Sequence, residues 1–484
     1  MTERTKEKPF TLHPFMLGAL LLLICYRELA PHVKPLEFLT LLAGFAAAIA
    51  VIHLAATRFF SSRIRGGFAT SLAVLFFGFA AEMRTSIEWA LDQIFTFEYI
   101  DGIYVMAALP LVWIILLRLL YRTKFDLARI SRFISVISLV VVVATVFEVY
   151  TVTARRKVAA TPRKSHAPLM LPTNPPDIYF ILMDAYTSAE SLKTHWDYDN
   201  SPFVEFLSGK SFDVVENARA NYDYTPYCLA AYLGMEHPAN VPEFGHWPKM
   251  NYLTEIVRNA EAPGRLKASG YEILNYSIFD VAGEKRLYRC PTIESISVGG
   301  LAFTKSILGL LVEREKLSFR DVNLQLFSTL PKLAAERGTK PRFIYAHVMM
   351  PHSPYLFDEH GNHVVRGMTI YNHKKEDYLE HLIFANRMLT NTISEILENS
   401  AQPPIIILQG DHGFRSLKGK ARVAEALTIL NAYHLPEARK DWVYEGITPV
   451  NSFRMIFNHY FGENYSYAPD TIHSVISLPD DKPK

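Results

Sequence analysis

Between positions 11 and 151 the chain is written in long apolar stretches, near 11–30, 35–57, 66–83, 103–121 and 131–151. Each is close to the ~20 residues an α-helix needs to cross a bilayer. They follow one another without the polar faces that helices of a soluble protein show. The pattern therefore predicts a five-helix transmembrane region over 1–151. Single charges such as Arg118 and Glu148 fall near span ends, where long side chains reach the interface. No cleavable signal peptide is evident, so the first segment is expected to stay as an anchor.

Past 151 the pattern changes. Residues 152–176 hold Pro162, Pro168, Pro172, Pro175 and Pro176 without an apolar period and read as a linker. The rest, 177–484, is long enough for one large α/β domain. Runs at 177–183, 271–276, 342–348 and 405–408 are short and strongly apolar, as buried strands are. Stretches at 200–209, 252–270, 322–337 and 375–399 read as helices, the third broken or restarted at Pro331. Such alternation predicts a mostly parallel sheet with helices on both faces.

Charge fixes an orientation rather than a partner. Arg4, Lys6 and Lys8 precede the first span; Arg58, Arg63 and Arg65 follow the second; Arg118, Arg122, Lys124, Arg129 and Arg132 surround the fourth connection. The loop near 84–102 has Arg84 as its only basic residue, among Glu88, Asp92, Glu98 and Asp101. The positive-inside rule puts the N-terminus in the cytoplasm and the C-terminal domain outside. Arg155, Arg156, Lys157, Arg163 and Lys164 follow the fifth span against this rule, but large domains translocate largely regardless of charge. The net charge of +2 names no partner, and there is no nucleic-acid signature. Three cysteines make no disulfide framework; whether Cys228 and Cys290 pair is left to the fold.

The chemistry gathers at strand ends. The run 405–408 leads into Gln409-Gly410-Asp411-His412-Gly413, 177–183 leads into Asp184, and 342–348, which contains His347, leads into Pro351-His352-Ser353-Pro354. Open α/β sheets bind ligands at the carboxyl ends of their strands. Three strands delivering Asp or His there predict one site assembled from distant segments. Gly410 and Gly413 allow a sharp turn and close approach by a ligand. In Tyr224-Thr225-Pro226-Tyr227, Thr225 is expected to cap a helix whose first residue is Pro226. Its hydroxyl would then lie at the positive helix end. His347 reads first as a core histidine and second as a substrate contact. Arg415 reads as an exposed loop residue with an anion-binding role as the alternative.

Asp184, Thr225, His352-Ser353-Pro354-Tyr355 and Gly410-Asp411-His412-Gly413 stand in an order and spacing that resemble the sulfatase-like branch of the alkaline phosphatase superfamily. With five spans ahead of them, they look like the lipoteichoic acid synthases and, more loosely, the phosphoethanolamine transferases. The resemblance covers roughly 175–460 and implies an alkaline-phosphatase-like fold over 177–484. It implies Asp184, Asp411 and His412 as metal ligands, Thr225 as metal-bound nucleophile, and His352 as a contact of the transferred group. Mn²⁺, Zn²⁺ and Mg²⁺ all suit such ligands, with one ion favoured. Asp358, His360 and His363 are the candidates for a second ion, but 358–362 reads more simply as a turn. The implied function is a membrane-anchored hydrolase or transferase of a phosphoryl-linked group on a cell-envelope lipid or glycan. The implied place is a bacterial inner membrane, with the catalytic domain periplasmic or extracellular. The Cys/Ser-x-Pro-x-Arg motif of true sulfatases is absent, which sets sulfate-ester hydrolysis second. Phosphodiester hydrolysis and a non-catalytic envelope component stay open, as does the oligomeric state.

Overall fold

The computed structural model describes residues 11–29, 35–84, 86–87, 102–158, 165–241, 246–284, 287, 298–308, 319–336, 338–366, 374–417, 420–437 and 441–475. Most of the 84–102 loop, the basic residues at 4–8, Arg163, Lys164 and Cys290 lie outside them. The chain forms two compact units, 1–160 with 291–317, and 161–290 with 318–484.

The first unit is helical: His13–Leu29, Pro35–Phe60, Arg63–Ala73, Gly102–Arg122, Ala128–Val158 and Val298–Lys305. Among the described residues two helices, Leu36–Phe60 and Ala128–Thr151, are long and apolar enough to cross a membrane. The other expected spans are helical over their described residues. His13–Arg27 is shorter, Arg63–Ala73 passes into a π-turn at Val74–Gly78, and Gly102–Arg122 carries Pro110 inside it. Leu22, Tyr26, Phe38 and Val149 form one core of this unit, and Phe76, Ala80 and Leu109 another.

The second unit is built on strands β1 (Ile178–Met183), β2 (Phe212–Val214), β3 (Glu272–Tyr276), β4 (Arg342–Val348), β7 (Ile405–Gly410) and β8 (Asn431–His434), with β5 (Tyr355–Phe357) and β6 (His363–Arg366) as a separate hairpin. The sheet order is β2-β8-β7-β1-β4-β3. The four strands β7, β1, β4 and β3 run parallel, and β8 is antiparallel to both β7 and β2. The sheet is thus mixed at one edge and parallel where chemistry was expected. Strands β1, β4 and β7 are buried along their whole length, which is why they read as continuous apolar runs rather than alternating ones. On one face Phe180 and Phe343 meet Phe453 of the helix Ser452–Tyr460 edge-on. The helices Phe319–Ala335 and Lys375–Asn399 pack together, the first against β4.

Three local expectations change. The stretch 252–270 is two helices, His246–Arg258 and Glu261–Ala268, because Ala260 turns extended before Glu261. Pro331 does not break its helix, which runs Phe319–Ala335. A proline deprives the carbonyl four residues earlier of its N–H partner; here the Thr392 hydroxyl donates to that Phe327 carbonyl at 3.3 Å. Residues 165–176 are not a free linker: Leu169 is buried in the core and its N–H donates to Ser269 Oγ at 2.6 Å.

Candidate metal centre and active site

Parallel register builds the site. Met183 of β1 lies opposite Gly410 of β7 and Val348 of β4. The next residues, Asp184 and Asp411, therefore leave adjacent strands side by side, about one ~4.8 Å strand spacing apart. Asp184 N–H donates to the Val348 carbonyl at 2.9 Å, and the Asp184 carbonyl accepts from His352 N–H at 3.0 Å. That ties the His352 loop to the end of β1.

Glycine is required at the turn, though not for a ligand. A Cβ on Gly410 would lie 2.5 Å from the Tyr186 carbonyl oxygen, and one on Gly413 would lie 2.2 and 2.4 Å from those of Glu425 and Thr428. What approaches is the protein's own backbone, which packs over the turn and buries it. Gly413→Ala is expected to cost about 1–3 kcal/mol by overpacking and to weaken metal binding by displacing His412. Thermal unfolding with and without added Zn²⁺ measures both, and an unchanged midpoint would contradict the tight packing.

Asp184 is 2% exposed, while Asp411 and His412 are fully buried. Asp411 Oδ1 accepts from Ala185 N–H at 3.0 Å and His412 N–H at 2.8 Å. The His412 Nδ1 faces the Gly413 carbonyl oxygen at 2.8 Å. A carbonyl can only accept, so Nδ1 carries the proton and Nε2 presents a lone pair. That Nε2 lies 3.5 Å from Asp184 Oδ1 and 3.5 Å from Asp411 Oδ2. None of these three atoms has a hydrogen-bond partner. Two carboxylate oxygens and a nitrogen lone pair, buried and facing one another, repel unless a cation lies among them.

The electrostatics agree. Burial pushes Asp411 up to about 6, and neighbouring Asp184 adds to this against the pull of His347, Thr225 and the Ala185 N–H. Burial would also raise Asp184, but His352, His347 and His412 outweigh it and hold the acid well below the usual carboxylate range. Burial, with Arg415 nearby, lowers His412 to about 3, so the ring is neutral as a metal ligand must be. Among the described residues Asp184, Asp411 and His412 form the single group of Asp, Glu, His or Cys side chains close enough to share an ion. This buried Asp/His cluster fits a divalent metal. Asp358 is not part of it: it folds its own turn, accepting from His360 and Asn362 N–H at 3.0 and 2.8 Å.

His347, wholly buried on β4, places Nε2 3.3 Å from Asp184 Oδ2. That is the arrangement by which an outer partner orients a metal-binding group. Thr225, His352 and Arg415 are half-buried, in contrast to the enclosed Asp184, Asp411 and His412. Thr225 is the first residue of the helix Thr225–Gly234, and the cap position is Tyr224, which makes no side-chain capping bond. The expected cap was one residue off, so the Thr225 hydroxyl is not spent on capping. His352 Nδ1 donates to the Ser353 carbonyl, and its Nε2 accepts from Arg415 Nη2 at 3.1 Å. Arg415 also reaches the Asp223 carbonyl at 3.4 Å and lies over the Tyr224 ring. One guanidinium thus links the Thr225, His352 and Asp411 segments. Cys228 lies one helical turn beyond Thr225 and is buried, its thiol donating to the Tyr222 carbonyl at 3.1 Å.

No protein-family profile matches the chain, and no curated protein matches it. Solved structures do. The C-terminal periplasmic domain of EptC from Escherichia coli, in complex with Zn, aligns at 12% identity and a TM-score of 0.40, covering 66% of this chain and 92% of that one. The integral membrane protein lipooligosaccharide phosphoethanolamine transferase A (EptA) from Neisseria meningitidis aligns at 12% identity and a TM-score of 0.41, over 94% of this chain and 92% of its own. A putative sulfatase from Bacteroides thetaiotaomicron aligns at 13% identity and a TM-score of 0.37, over 62% and 73%. The chain is similar to these phosphoethanolamine transferases and sulfatases. At such identities and scores the similarity carries no residue role, and the chemistry follows from the side chains themselves.

Proposed function

We propose that this protein is a membrane-anchored, metal-dependent enzyme that transfers or hydrolyses a phosphoryl-linked group through Thr225. The observation that carries the reading is the set of three buried ligand atoms, Asp184 Oδ1, Asp411 Oδ2 and His412 Nε2, facing one another, with the Thr225 hydroxyl within hydrogen-bonding reach of Asp411. A divalent ion held by Asp184, Asp411 and His412 would lower the pKa of an adjacent hydroxyl and take up charge on a transferring oxygen. Thr225 Oγ1 forms a bond to phosphorus while the bond from phosphorus to the departing alcohol oxygen breaks. The proton that Thr225 loses is balanced by one the alcohol gains. In the second half an acceptor hydroxyl, or water, displaces Thr225. His347 holds Asp184 in place, while Arg415 and His352 flank the open side, where the guanidinium favours an anionic group. The apolar helices at 1–151 are the anchor, as five spans, with the catalytic unit outside the cytoplasm and a cell-envelope lipid or glycan as substrate. A buried Cys228 thiol bonded to the Tyr222 carbonyl gives no support to sulfatase chemistry.

Full-length protein in detergent, offered aryl phosphate mono- and diesters and an aryl sulfate, is expected to turn over the phosphates alone. EDTA should abolish that turnover, and Mn²⁺ or Zn²⁺ should restore it. A better rate on the sulfate, or indifference to EDTA, would defeat the reading.

A further inference from the structure

Residues 298–308, the described part of 291–317, interrupt the sequence of the second unit but pack with the first. Within them lies the helix Val298–Lys305. Val298 and Ala302, one turn apart, are buried with Leu22, Leu23, Tyr26, Phe38 and Val149. Ile307 is buried with Phe76, Ala80 and Leu109. Lys305 Nζ meets Glu82 Oε1 at 2.6 Å. Phe303, on this helix, is 45% exposed, and Leu308, three residues past its end, is 61% exposed. Two large apolar side chains left exposed on a segment whose other apolar residues are packed are accommodated by an apolar medium.

We infer that residues 298–308 are an interfacial membrane-contact element, by which the chain of the catalytic unit returns to the lipid surface. This rests on the proposed membrane anchoring of the first unit. Lipid is the occupant because the exposed Phe303 and Leu308 belong to the unit whose two span-length helices expose Leu36, Phe59, Val140 and Phe147 in the same way. The element does not span. Its eight-residue helix is only ~12 Å long at ~1.5 Å per residue, against a hydrocarbon core of ~30 Å. The paired Lys305 and Glu82 are both partly accessible, which suits the headgroup boundary, where charged ends reach water. In sequence the chain passes between the two units three times.

The test uses full-length protein in nanodiscs with nitroxide-bearing phospholipid and a polarity-sensitive fluorophore on single introduced thiols. Signal from the unsubstituted protein is subtracted. Labels at Leu308→Cys and at Val140→Cys, on the helix Ala128–Val158, are expected to emit blue-shifted and to lose most of their emission to the nitroxide. A label at Glu395→Cys, exposed on the catalytic unit, is expected to keep its emission. Phe303→Cys replaces Leu308→Cys if that variant does not fold. Quenching at Val140 but water-like emission at both 303 and 308 would overturn this inference alone. Absence of quenching at Val140 as well would remove the membrane reading and this inference with it.

Discussion

Asp411→Asn is expected to strip the metal from the protein while stabilising the metal-free form, two effects of opposite sign from one atom. In the proposed metal site Asp411 would supply one of two carboxylates. Losing even an outer partner of a metal ligand typically costs about 10–100-fold in affinity, and losing a charged ligand is expected to cost more. Metal analysis after gel filtration, and titration with Zn²⁺ against a competing chelator, read this directly. Without metal the balance reverses. Burial and the facing Asp184 hold Asp411 up at about 6 in the fold, so its charge opposes folding near neutral pH. An amide keeps the acceptor oxygen for the Ala185 and His412 N–H groups and aims N–H donors at Asp184 Oδ1 and His412 Nε2, both otherwise orphaned. The EDTA-treated variant should therefore melt above EDTA-treated wild type, and with saturating Zn²⁺ the order should invert. If the variant held full metal, or melted lower in both states, Asp411 would be a structural hydrogen-bonding residue and the ligand set would be wrong.

How much of this was legible in sequence depended on whether each residue's role was set locally. Strands β1, β4 and β7 are buried on both faces, so their apolar runs announced them, and Asp184 and Asp411 stood visibly at their ends. That these two acids become neighbours follows from parallel register, which pairs Met183 with Gly410. Arg415 reads as a loop residue in sequence because nothing near it in sequence is its partner. Its contacts, His352 and the Asp223 carbonyl, arrive from other segments only once the sheet has formed. His347 needed the same tertiary step, since its Asp184 partner lies one strand away. The Thr225 cap was misplaced by one position, because Thr-Pro fixes that a helix begins but not which of two residues is its first. Pro331 misled for a related reason. The carbonyl it orphans is satisfied by Thr392, whose hydroxyl comes from another helix. The excursion 291–317 was invisible, since apolar residues that serve the helical unit look like any others of the α/β domain.

Thr225→Ala is expected to abolish turnover with almost no change in stability. Loss of the covalent nucleophile costs about 10⁶-fold in kcat in a serine hydrolase. The stability side is sharper than the sequence suggested. A capping threonine would cost ~1 kcal/mol on replacement. Thr225 instead sits inside the first turn, beyond the Tyr224 cap, and makes no capping bond. Alanine is at least as good a helix former there, so beyond the lost hydrogen bond to Asp411 the change should stay within ~0.5 kcal/mol. Metal content should remain near that of wild type, because Asp184, Asp411 and His412 are untouched. Thr225→Ser is the discriminating partner variant: it keeps an oxygen at the same position and should recover much of the rate. Intact-mass measurement during turnover of a slow aryl phosphodiester should show a covalent adduct on wild type and on Thr225→Ser, and none on Thr225→Ala. An active Thr225→Ala protein that still holds its metal would mean that the acceptor attacks phosphorus directly. The cluster at the ends of β1 and β7 would then bind metal and substrate without a protein nucleophile.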